Sequence, residues 1–169
     1  KAKEAIKLVS TLPYFGAVEL FGAVKNKSYL KIILSRYAKK GEIIRLKKGL
    51  YISRHYLDAL DKKNRMSEYS EFLANILYKS SYLSLEWVLY ENNLLTELPK
   101  NFTSMSLAKT AVFTNKLGNF FYHQIKSELF LGFKVLREGD FTIFKASKAK
   151  ALFDFLYLRK NYLINKRAV

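Results

Sequence analysis

The stretch from Lys25 to Ser53, KNKSYLKIILSRYAKKGEIIRLKKGLYIS, most narrows what this chain can fold into. Projected at about 100° per residue, Leu30, Ile33, Leu34 and Tyr37 gather on one side of a helix, with Ser28, Lys31, Ser35 and Lys39 opposite. One side is suited to a core and the other is polar and basic. Asn26 or Ser28 is placed to cap the start by accepting a backbone N–H bond. Lys39 and Lys40 suit the negative end of the helix dipole, and Gly41 supplies a stop. Two β-prone runs follow, Ile43-Ile44 with Leu46 and then Leu50-Tyr51-Ile52. Lys47-Lys48-Gly49 lies between them, where a glycine tolerates the positive φ of a tight turn. Upstream, Ala5, Ile6, Leu8 and Val9 predict a first helix closed by Pro13, and Ala17–Val24 predicts a second. Three helices followed by a basic hairpin is the order of a winged helix-turn-helix, which sets a helix in the DNA major groove and the hairpin against the flanking backbone.

Charge supports a polyanionic partner. Residues 1 to 60 hold thirteen Lys/Arg against four Asp/Glu, a local surplus that attracts phosphate. The formal charge of the whole chain is +16. That figure is weaker support than the local clustering, because Lys, Ile, Asn, Phe and Tyr enrichment also follows from AT-rich coding. The residues expected to meet DNA are Lys27, Ser28, Lys31, Ser35 and Lys39 on the helix, with Arg45, Lys47 and Lys48 on the hairpin.

With 169 residues, half of them hydrophobic, there is material for a substantial core, and two units are expected, 1–60 and 61–169. The boundary candidate is Asp58–Arg65, DALDKKNR, where charge interrupts the apolar periodicity ahead of a helix cap at Ser67. Beyond it, Phe72, Leu73, Ile76 and Leu77 recur at helical spacing, and Ser84 can cap a helix through Glu86, Trp87, Val88, Leu89 and Tyr90. After Pro99 come the β-prone pieces FTSMSL, AVF, NFFYHQI, FKVL and FTIF. Turn signals at Leu117-Gly118-Asn119 and Gly139-Asp140 predict a small, mostly antiparallel sheet. Ser147 then caps a last helix with an apolar stripe of Ala151, Leu152, Phe155, Leu156 and Tyr162 or Leu163, and a basic surface of Lys148, Lys150, Arg159 and Lys160. Asp154 falls just outside that stripe and is expected to pair with Lys150 one turn earlier. Glu86 and Glu97 have no assignable partner. The fold class expected is therefore α+β.

Several chemistries find no motif. The chain has no cysteine, so a disulfide framework and thiolate metal sites are excluded. There is no His/Cys cluster at metal spacing, P-loop, GxGxxG, nucleophile elbow or DxD, and no cofactor is expected. His55 and His123 read as surface or structural residues. Phe120, Phe121 and Tyr122 read as a strand dividing its rings between core and interface; stacking on single-stranded bases is the lesser alternative. The longest uncharged run, Leu8–Val18, contains a proline and is about half of the ~20 residues a bilayer needs, so no membrane partner is expected. The basic start lacks the apolar segment of a secretory signal, which points to the cytoplasm.

Four segments together resemble the AbiEi-type antitoxin and transcriptional-regulator family. They are SYLKIILSRYAKKGEIIRLKKGLY (Ser28–Tyr51), SYLSLEWVLYENNLLTELP (Ser81–Pro99), NFFYHQIKSELFLGF (Asn119–Phe133) and ASKAKALFDFLYLR (Ala146–Arg159), in an order and spacing covering most of the chain. The last departs from the family, which typically has Pro-Glu before Lys-Ala-Leu where this chain has Lys148-Ala149. The resemblance implies an N-terminal winged helix joined to a C-terminal α+β domain. It further implies a non-enzymatic repressor of its own operon, binding operator inverted repeats. Such a protein is the antitoxin of an abortive-infection, phage-defence pair of type IV, countering a nucleotidyltransferase-like toxin with or without direct contact. The alternatives are an orphan winged-helix regulator with no toxin and, below it, a nucleic-acid-processing enzyme.

Overall fold

The computed structural model describes residues 2–20 and 26–165, with side chains described for 3–20 and 26–160. The chain is a mixed α+β protein that divides into two compact units, Lys1–Ser67 with Thr114–Leu117, and Glu68–Phe113 with Gly118–Val169.

The first unit runs α1 (Ala2–Val9), α2 (Ala17–Leu20), α3 (Lys27–Lys39), β1 (Ile43–Lys47), β2 (Leu50–Ser53) and α4 (Arg54–Lys62). Ala5, Ile6 and Val9 of α1 join Phe15, Leu20, Leu30, Ile33, Leu34 and Ile43 in one buried cluster, the apolar faces of short helices that gain stability only by packing together. Leu8, expected on that face, is 70% exposed, because its position in the helix turns it away from the cluster. The part of the second predicted helix at 21–24 lies outside the described residues. Gly16 donates its N–H to Glu19 Oε2 at 2.7 Å, satisfying a donor at the start of α2. Helix α4 has no counterpart in the sequence reading. Ser53 caps it, its Oγ accepting from the Tyr56 N–H at 3.0 Å, and Leu57 and Leu60 are buried. The boundary expected between residues 60 and 61 thus falls inside a helix, since two apolar positions one turn apart are enough to anchor a charged segment. The next helix, α5 (Met66–Leu77), starts before Ser67, so that serine lies in its first turn and does not cap it.

The second unit continues with β3 (Ser81–Leu83), α6 (Leu85–Glu91), β4 (Phe102–Ser106), β5 (Ala111–Asn115), β6 (Gly118–Gln124), β7 (Phe133–Glu138), β8 (Phe141–Ala146) and α7 (Lys148–Asn165). All five β-prone pieces are strands, and a sixth, β3, is three residues long and buried at every position. The sheet order is β5-β6-β4-β3-β8-β7. It is mixed: β3 pairs antiparallel with β4 and parallel with β8, β4 pairs parallel with β6, and β7 pairs antiparallel with β8, so that among these four pairings most partnered residues are antiparallel. The unforeseen β3 inserts between β4 and β8 and brings in the parallel pairing with β8, while the parallel β4–β6 pairing is independent of it.

The register sets Tyr82, Met105 and His123 on one sheet face, and Leu83, Ser104 and Tyr122 on the other. Helix α5 covers the second face. Phe72 stacks on Phe141 with ring centroids 4.9 Å apart, and Asn75 braces β8 by accepting from the Phe144 N–H at 2.8 Å while donating to its carbonyl at 3.3 Å. Helix α7 lies against the first face. Ser147 does cap it, Oγ accepting from the Lys150 N–H at 3.2 Å, but the buried face differs from the expected stripe. Ala151, Lys150 and Asp154 are buried while Leu152 and Leu156 are 43% and 47% exposed. Lys150 is therefore not part of the basic surface, and the side chains of Tyr162 and Leu163 lie outside the described residues. Asp154 pairs with Lys150, whose Nζ is 2.8 Å from Oδ1 though outside hydrogen-bonding angles. The helix buries this pair because Tyr82 and Ser84 donate to the other oxygen, Oδ2, at 3.0 and 2.7 Å. Among the described residues no helix is long and apolar enough to cross a membrane.

Candidate nucleic-acid interface

Helix α3 is built from its cap outward. Asn26 Oδ1 accepts from the Ser28 and Tyr29 N–H groups at 2.9 and 3.1 Å, so Asn26 fills the cap role and Ser28 is left on the exposed side. Two exposed donors at a helix start are thereby satisfied, fixing where the helical phase begins. At the other end Gly41 takes φ +74°, ending the helix as expected. Leu30, Ile33 and Leu34 are buried and Tyr37 is half-buried, whereas Lys27, Ser28, Lys31, Ser35 and Lys39 are all exposed. The helix therefore splits along the line the sequence suggested.

The hairpin follows directly. Its register matches Ile43 with Ser53, Ile44 with Ile52, Arg45 with Tyr51 and Lys47 with Leu50, with one irregularity between Arg45 and Lys47. Lys48 and Gly49 form the turn, Gly49 at φ +78°. Arg45 and Lys48 are exposed and Lys47 is half-buried, and Arg45 Nε is 3.4 Å from the Lys47 carbonyl, a marginal bond at the base of the turn. Two main-chain bonds, Phe15 N–H to Tyr51 O and Tyr51 N–H to Phe15 O, both 2.8 Å, tie the hairpin to the segment between α1 and α2. The Phe15 and Tyr51 rings stack at 6.0 Å. A Cβ on Gly16 would come within 3.0 Å of the Gly49 carbonyl, so glycine at that position is what lets the turn lie so close. Helix and hairpin are thus fixed to one core through Ile43 and Phe15.

Three further residues, not among those expected from the sequence to meet DNA, also lie on the exposed face of α3. Tyr29 is 50% and Ile32 54% exposed, and Arg36 is exposed too. Lys31, Ile32, Ser35, Arg36 and Lys39 line one shallow depression. The angular projection held the necessary signal, but apolar side chains are assigned to a core by default.

In the second unit His123 is half-buried in a pocket of about 280 Å³ with Glu86, Lys100, Asn101 and Phe121. Burial holds its imidazole below the ordinary value. Glu86, left without a partner in the sequence reading, accepts from Arg159 Nη2 at 2.8 Å. His55, in the first unit, lines a groove of about 580 Å³ with Lys3, Lys7, Lys40, Arg54 and Asp58. Among the described residues no three His, Cys, Asp or Glu side chains converge as metal ligands. Phe120 and Tyr122 are buried and Phe121 is half-buried.

Set against models of known protein families and against curated proteins, the sequence matches none.

Proposed function

We propose that this chain is a DNA-binding transcriptional regulator whose first unit is a winged helix-turn-helix, with α3 in the major groove and the β1–β2 hairpin as the wing. The observation that carries this is the two-sided α3. One face is spent on the core and the other presents Ser28, Lys31, Ser35, Arg36 and Lys39, with Arg45, Lys47 and Lys48 following on a short hairpin fixed to the same core. Hydroxyl and cationic side chains on one helix face suit base edges, and lysines on a turn suit phosphate. The resemblance to AbiEi-type antitoxins extends the proposal: the protein represses its own operon as the antitoxin of a type IV pair whose toxin is nucleotidyltransferase-like.

Binding of the full chain to duplex DNA should be strongly salt-dependent. With roughly four phosphates neutralised, log affinity falls against log salt with a slope near about −3.6. Changing Lys47 and Lys48 together to Ala should weaken all duplexes alike and flatten that slope, whereas Ser35→Ala should change the ranking of sequences. Fluorescence anisotropy across a salt series decides it. A slope near zero, or equal effects of the two variants on sequence preference, is incompatible with these roles.

A further inference from the structure

We propose that Ile32 is a specificity-determining contact, its side chain seated against the 5-methyl group of a thymine in the major groove; the inference rests on α3 being the recognition helix.

Measured from Ser28 at about 100° per residue, Ser35, Lys39 and Ile32 lie within about 40° of it, so the four form the outermost ridge of the helix. Ile32 thus lies on the outward face, one turn from both Ser28 and Ser35, and is 54% exposed. The core does not call on it, since Leu30, Ile33 and Leu34 already fill that side. Its ridge neighbours Ser28 and Ser35 are short, so the branched Ile32 side chain projects beyond them. Lys31 and Arg36 stand to either side of the ridge, and both are exposed.

This arrangement selects the ligand chemistry. An apolar group framed by hydroxyls and cations matches a surface that is anionic at its rims and carries an isolated methyl on its floor. In the major groove that methyl is the thymine C5 substituent, the one apolar feature among donors and acceptors. Self-association through Tyr29 and Ile32 is the competing use of an exposed apolar pair. It would bring Lys27, Lys31, Arg36 and Lys39 of two copies face to face, and like charges at an interface oppose it.

The test uses duplexes selected by the full chain from a random pool, in which each thymine is replaced singly by uracil, a change that removes only the methyl. At one thymine per half-site the replacement should weaken wild-type binding about fourfold, as expected for one buried methyl. Ile32→Ala, on the exposed face and expected to melt as wild type does, should lose a similar factor on the thymine duplex and become indifferent to uracil at that position. Uracil tolerated everywhere by the wild type overturns the inference, as does an Ile32→Ala protein that still discriminates thymine from uracil. So does a wild-type dimer in sedimentation that Ile32→Ala converts to monomer while thymine discrimination stays intact. Absence of any salt-dependent duplex binding sinks the recognition-helix reading as well, whereas binding blind to the methyl sinks this inference alone.

Discussion

Asp154 is fully buried in the apolar run ALFDFLY, and a charge in that setting persists only when its surroundings replace water. Here the Tyr82 and Ser84 hydroxyls and the Lys150 ammonium do so. Lys150 also donates to the Leu129 carbonyl at 2.8 Å and lies 4.7 Å from the centre of the Phe153 ring. The Tyr82 phenol is pushed above its ordinary value, first by burial and then by the adjacent carboxylate. Asp154→Asn removes the negative charge and leaves Lys150 buried without its counter-ion, which should cost about 3–5 kcal/mol in urea unfolding at neutral pH. Lys150→Met with Asp154→Leu should cost much less than the two single changes summed, because neither charge is stranded. The i, i+4 spacing made the pair readable. Its burial was not readable, because the two hydroxyls that make burial tolerable lie some seventy residues away in sequence.

At the scale of elements, α5, α6 and β8 meet through one charged cluster. Lys145 Nζ lies 2.7 Å from Glu71 Oε1 and 3.0 Å from Glu91 Oε2, and Trp87 Nε1 donates to Glu71 Oε1 at 2.9 Å. Burial, then the neighbouring Glu71, push the Glu91 carboxyl up to about 7, with Lys145 opposing them. The folded state therefore holds a proton on Glu91 that the unfolded chain has released. Stability from this group is greatest below about pH 4.5 and declines as pH rises toward about 7, after which it is flat. His123, held below 6.5 by burial, gives the opposite slope, because the unfolded chain takes up its proton first as pH falls. The difference between wild type and Glu91→Gln isolates the carboxyl: relative to the variant, the wild type should lose stability from about pH 4.5 to about 7, read from urea midpoints at several pH values. A difference that does not vary with pH would contradict the assignment.

For the whole molecule, one recognition helix reads only a few base pairs, and operator selectivity usually requires two half-sites. On the function proposed above, two copies of this chain should therefore protect paired half-sites upstream of its own gene, spaced about 10 bp centre to centre or a multiple of it. The +16 charge favours encounter with DNA over encounter between copies, so protection should rise cooperatively from monomers. Footprinting together with sedimentation checks this, and a single protected site at full affinity would leave a lone reader instead.

The sequence by itself determined what depends on neighbours within a few residues. The two-sided α3, a cap at Asn26 or Ser28, the Gly41 stop, a turn within Lys47-Lys48-Gly49 and five of the six strands of the larger sheet all follow from local periodicity, capping and turn chemistry. Tertiary structure decided whatever depends on distant partners. The three-residue β3 is too short to carry a period, and it is a strand because β4 and β8 hydrogen-bond to it on either side. The α7 face turned so that Asp154 points inward and Leu152 outward, because Tyr82 and Ser84 are there to receive the carboxylate. Ile32 is identical in composition to its core neighbour Ile33, and only the packing of α3 against α1, α2 and β1 assigns one to the interior and the other to the outward ridge.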